Sequence, residues 1–137
     1  MIYFKTWILL AGFMFIASCG NTENNKMIIG SWSGKEWLIN NSPSDHNVYE
    51  THFTFDEKGN YTYTYSGTEE KGTYKVENDM LFTKPLDQQE IMVKIAKLNR
   101  DTLIFDMNRS GQTELLTLLR DKELFTKRTE SVKSFLK

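Results

Sequence analysis

The chain has 137 residues, 39% of them hydrophobic and 13% aromatic, with 17 basic side chains, 18 acidic ones and a single cysteine. That length suffices for one domain and not for two. The near-balanced charge lacks the basic surplus of a nucleic-acid binder, two prolines and eight glycines exclude a fibrous or low-complexity chain, and one cysteine excludes an internal disulfide.

Met1 to Lys5 carry one positive charge, and Trp7 to Ala17 (WILLAGFMFIA) form an unbroken apolar run. As a helix that run spans about 16 Å at about 1.5 Å per residue. The hydrocarbon core of a bilayer is about 30 Å thick, so the run suits the hydrophobic region of a signal peptide. Ile16-Ala17-Ser18-Cys19 follows. It resembles the lipobox of bacterial lipoproteins: an aliphatic residue, two small ones and the cysteine that takes the lipid. The resemblance implies cleavage before Cys19, lipidation of Cys19 and stable membrane anchoring by several acyl chains, since one chain alone binds marginally. Removing residues 1–18 takes Lys5 with it and leaves 119 residues with 16 basic and 18 acidic side chains, a net of −2. No Asp follows Cys19, so the familiar inner-membrane retention signal is absent and an outer-membrane, cell-envelope location is expected. Residues 19–27 hold Cys19 and a polar stretch without hydrophobic period, and read as a flexible tether.

From Ile28 onward, short alternating runs are separated by polar turns. Ile29 to Ile39 reads as a first strand, and Asn40 to Asn47 (NNSPSDHN) as a loop. Glu50 to Phe55 alternates, with Phe53 and Phe55 on one face. Asp56 to Gly59 is a tight turn in which Gly59 supplies positive φ. Tyr61 to Ser66 is the clearest strand, with Tyr61, Tyr63 and Tyr65 on one face. Gly72 to Glu77, Met80 to Thr83, Glu90 to Lys97, Thr102 to Met107 and Gln112 to Arg120 complete the set, with Lys84 to Gln89, including Pro85, as a turn. Short connections force neighbouring strands to be antiparallel. One apolar face per strand then predicts an all-β protein: an eight-stranded up-and-down barrel over residues 28–121. In the tail, 122–137, Leu124, Arg128, Val132, Phe135 and Leu136 fall at helical spacing and predict a short C-terminal helix whose apolar stripe docks on the barrel.

Gly30-Ser31-Trp32 opening the first strand, seven more strands and Arg120 ending the last one resemble the lipocalin pattern. More closely, the chain is similar to the small lipocalin-like lipoproteins of Bacteroidota, whose hairpin phrases look like Phe53 to Tyr61 (FTFDEKGNY) and Gly72-Thr73-Tyr74. The resemblance implies that Trp32 closes the barrel floor and that Arg120 packs over it. It also implies that the loop after the first strand lies over the open end, so that a ligand enters beneath Pro43 to His46.

No catalytic constellation stands out, and no cofactor is expected. His46 and His52, with Asp45 and Glu50, lack the spacing of a helical metal pair and read as solvated loop residues. Asp56 with Glu57 and Glu69 with Glu70 read as turn charges that point apart. Ser33 and Ser66 have no His and Asp at suggestive positions. The stripe of Phe53, Phe55, Tyr61, Tyr63, Tyr65 and Tyr74 can line a pocket for an amphipathic ligand or fill a small barrel, and its bulk on short strands favours filling. The expected function is a lipid-anchored envelope protein that holds a small apolar or amphipathic molecule. The alternative is a filled barrel that docks another envelope protein.

Overall fold

The computed structural model describes residues 22–122 and 134–136. The expected signal peptide, Cys19 and most of the expected C-terminal helix lie outside the described residues. The strands are β1 (Gly30–Ile39), β2 (Ser42–Pro43), β3 (His52–Phe55), β4 (Asn60–Tyr65), β5 (Thr68–Glu77), β6 (Met80–Pro85), β7 (Ile91–Leu98), β8 (Thr102–Arg109) and β9 (Gln112–Arg120). Each pairs antiparallel with its neighbour in chain order, except that β2 is a two-residue ladder folded back on β1, and β1 also pairs with β9. The eight longer strands therefore form a closed antiparallel barrel.

The floor of the barrel holds the turns at Asp56–Gly59, Asn78–Asp79 and Asn99–Asp101. The mouth holds the 40–51 connection, Ser66-Gly67, residues 86–90 and Ser110-Gly111. Gly59 has φ +82°, as the turn requires. Asp56 organises that turn by accepting from the backbone N–H groups of Lys58 (2.9 Å) and Asn60 (2.8 Å). The Asn60 bond foremost holds its carboxyl below the usual range.

Two mouth hairpins are tighter than the sequence reading suggested. Ser66-Gly67 and Ser110-Gly111 both have positive φ at each residue and join directly paired strands, the two-residue turn whose twist matches a hairpin. As a result β5 begins at Thr68, not Gly72, and the segment carrying Glu69 and Glu70 is barrel wall. Pro85, expected in a turn, ends β6 opposite Gly72. An ideal Cβ on Gly72 would lie 2.1 Å from the Lys84 carbonyl oxygen and 2.8 Å from the Pro85 Cα. Both are backbone atoms, so Gly72→Ala must part β5 from β6. Chemical denaturation should show a loss of about 1–3 kcal/mol, as overpacking costs. An unchanged midpoint would mean that the two strands have room to spare.

The flexible tether expected over 19–27 is corrected in part. The short α-helix at the N-terminal side is α1 (Thr22–Met27); the sequence had placed its short helix at the C-terminal end. β5 runs past the start of β4, which leaves backbone groups near Val76 without a strand partner on that side. The Asn25 side chain fills the gap: its Nδ2 donates to the Val76 carbonyl (2.9 Å), and its Oδ1 accepts from the Val76 N–H (3.0 Å). Asn24 likewise donates to the Asn78 carbonyl. These amides dock the helix on the barrel and deliver Ile28, fully buried, to the floor.

The core runs along the barrel axis. Trp32, Phe55, Val76, Leu103 and Leu118 pack the floor half, while Leu81, Phe105 and Leu116 lie beneath the mouth half.

Candidate ligand-binding site

The floor is closed by one stack. The Trp32 ring is fully buried, its Nε1 donates to the Ile28 carbonyl (2.8 Å), and the Arg120 guanidinium lies 4.1 Å over the ring. Arg120 also donates to the carbonyls of Ile29 (2.6 Å), Met27 and Arg100. It thus ties the end of α1, the start of β1 and the β7–β8 turn to one side chain. Burial lowers the Arg120 pKa and Asp101 opposes that shift.

The mouth half is different. Four residues, Gly30 to Ser33, pair β1 with the short β3, and beyond Ser33 the two strands separate. The 40–51 connection, ending in a 3-10 turn at Val48–Glu50, fills that gap. The His46 ring sits 4.4 Å from Trp37 on β1, and its Nδ1 is 3.3 Å from the Tyr65 hydroxyl on β4. The connection therefore bridges the wall between β1 and β4 at the rim of the mouth.

Inside that wall lies a cavity of about 140 Å³. A cavity near 150 Å³ holds one benzene-sized molecule. Phe53, Tyr61 and Tyr63 line it, with Trp37 on one side and Leu81, Phe105 and Leu116 beneath. Phe53 stacks on Tyr63 at 4.6 Å and meets Phe105 edge-on at 5.5 Å, so the aromatic wall is held rigidly. The other candidates go elsewhere. Phe55 is buried in the floor against Tyr74 (4.9 Å, edge-on), and the Tyr74 hydroxyl donates to the Asp56 carbonyl (2.7 Å). Tyr65 joins Trp37 and His46 at the rim.

Among the cavity residues that the sequence did not offer as ligand-binding candidates are Trp37, Phe105, Arg109 and Glu70. Glu70, expected to be a turn charge, is half-buried on the inner face of β5. Its Oε1 accepts from the Tyr61 hydroxyl at 2.6 Å. Burial first, then Glu70, raise the Tyr61 pKa far above the tyrosine range. Burial also raises that of Tyr63, against the opposing charge of Arg109. The neighbouring Glu69 faces out and pairs with Lys71 (3.1 Å). The Ser66-Gly67 dipeptide was the available signal, because a two-residue turn there puts Glu70 in register with Tyr63 on the wall.

The outer wall brings Ser33, His52 and Asp121 together, which the sequence did not suggest. Ser33 Oγ donates to Asp121 Oδ1 (2.6 Å) and lies 2.9 Å from His52 Nδ1. The serine stands between the other two and its one hydrogen is given to Asp121, so His52 has no serine proton to take. This order is that of a surface clasp between β1, β3 and the end of β9, not of an activated nucleophile. Among the described residues, no three His, Cys, Asp or Glu side chains gather around a point that could hold a metal ion.

A closed antiparallel barrel with a plugged floor and an internal cavity near the mouth defines the architecture of this chain. The profile of the lipocalin-like domain matches residues 28–105, more than half of the chain, and the chain belongs to that family. Solved structures from Bacteroides are similar to it. One is a lipocalin-like protein from Bacteroides uniformis ATCC 8492, 12% identical, with 65% of this chain and 96% of that one covered at a TM-score of 0.49. Another is an uncharacterized protein from Bacteroides eggerthii DSM 20697, 14% identical, with 69% and 99% covered at a TM-score of 0.52. At that identity the second likeness speaks for the fold alone. A search of curated proteins returned no match.

Proposed function

We propose that this chain is a lipid-anchored binding protein of the cell envelope, without enzymatic activity, whose barrel takes up a small apolar or amphipathic molecule at the mouth. The observation that carries the reading is the 140 Å³ cavity bounded by Phe53, Tyr61 and Tyr63. Its lining offers aromatic faces and a few placed polar groups, the usual make-up of a ligand site. Burying about 200 Å² of apolar ligand surface would contribute roughly 5 kcal/mol at about 25 cal/mol per Å². Association and ordering costs offset much of that, so the affinity expected is micromolar or weaker.

Fluorobenzene, followed by ¹⁹F NMR, suits the size of the cavity. The folded chain should bind it saturably. Tyr63→Ala should weaken binding about three- to tenfold, the worth of one aromatic contact, while the far-ultraviolet circular dichroism stays that of a β-barrel. No saturable uptake by the unaltered chain would sink the pocket reading. The second reading, docking of another envelope protein, would then lead, and a specific observation supports it: Leu86 and Met92 on the β6–β7 hairpin are 68% and 61% exposed.

A further inference from the structure

The interior near the mouth carries charge as well as aromatic rings. Glu70 lines the cavity, with one carboxylate oxygen held by the Tyr61 hydroxyl. Glu114, at the start of β9, is 6% exposed and accepts from Trp37 Nε1 at 3.0 Å, directly behind the Trp37 side of the cavity. No Lys, Arg or His nitrogen lies within 4.0 Å of either carboxylate among the described residues, where the ion pairs are Lys71–Glu69 and Lys75–Glu77. A carboxylate taken from water without a counter-charge is costly. Tyr61 and Trp37 each return one neutral hydrogen bond and no positive charge. The cationic side chain that does line the cavity, Arg109, is exposed at the rim, where its guanidinium rests 3.8 Å from Met107 Sδ and water screens it. The negative groups are thus the deeper ones. The faces of Phe53, Tyr63 and Trp37 around them are themselves attractive to a cation.

From this arrangement we infer that the cavity selects a small organic ammonium ion of about one ring in size, its N–H groups donating to Glu70 and its apolar body packed between Phe53, Tyr63 and Phe105. The inference rests on the pocket reading above and assigns the charge of the ligand. Glu114 adds negative potential from behind Trp37 and does not touch the ligand.

Three probes of equal size separate the two claims: benzylamine, benzyl alcohol and benzoate. Each is titrated at neutral pH into the full-length chain in nanodiscs by ligand-observed NMR, with empty nanodiscs as reference. Benzylamine should bind about tenfold tighter than benzyl alcohol, because both can donate to Glu70 and only the ammonium sets a positive charge against it, and benzoate should bind weakest. Glu70→Gln should cancel most of the advantage of benzylamine over benzyl alcohol, since an amide presents no charge to the ammonium. If benzyl alcohol binds as well as benzylamine, the ammonium assignment is overturned and the pocket stands. Benzoate binding tightest also overturns it, with Arg109 setting the charge preference. If none of the three binds, pocket and assignment fall together. The ranking on the unaltered chain decides the matter even if Glu70→Gln does not fold.

Discussion

Replacing Trp32 by Ala should cost about 3–5 kcal/mol of stability, the loss seen on truncating a large buried aromatic residue. Domains of this size have about 5–15 kcal/mol in total, so the variant should stand near unfolding at ordinary temperature. Three separate contributions disappear with the indole. The ring is fully buried at the floor, the Ile28 carbonyl loses its donor, and the Arg120 guanidinium loses the face it lies on. Trp32→Phe keeps the apolar body and loses the N–H, and should cost about 1–3 kcal/mol, the penalty of a buried acceptor left unpaired. Urea unfolding of both variants checks the order. Equal losses would mean that the hydrogen bond to Ile28, and not the packing, holds the floor.

The second large effect is all-or-none. Ile16-Ala17-Ser18-Cys19 ends an apolar run too short to span a bilayer, and in the proposed anchoring Cys19 supplies the thiol that takes the lipid. Cys19→Ala should leave a longer, uncleaved precursor with no incorporated fatty acid, read by metabolic labelling and by mass. Normal labelling of that variant would refute the anchor. The consequence for the barrel is geometric. α1 begins at Thr22 and is clamped to β5 by Asn24 and Asn25, so a lipid on Cys19 would hold the floor end, not the mouth, close to the membrane.

Much of the fold was legible because closing an antiparallel sheet imposes local rules. Alternation marked all eight wall strands, and Gly30-Ser31-Trp32 with Arg120 marked the two strands that meet at the floor, where Trp32 and Arg120 stand directly opposite in the ladder. Tyr61 and Tyr63 were grouped on one face as candidate pocket rings because β4 alternates without interruption. Trp37 was not, for a physical reason. It lies five positions after Trp32, an odd spacing that puts the two on opposite faces of a regular strand. A bulge between Gly34 and Glu36 inserts one extra residue, and both rings turn inward.

Glu70 escaped for a related reason. Its face depends on where the β4–β5 turn falls, and a shift of one residue in register reverses every side chain. Likewise, α1 has no amphipathic period in the sequence, because its stability comes from Asn25 answering the free backbone groups of Val76, some 50 residues away. The sequence by itself determined the strand content and the barrel, since these follow from period-two patterning and turn chemistry, and its resemblance to the lipocalin pattern pointed to Trp32 and Arg120 as the pair that closes the floor. Only the tertiary structure decided which rings fill the barrel and which line the cavity, and that Glu70 and Glu114 face inward. Bulges and register set those outcomes, and both arise from pairing between strands distant in the chain.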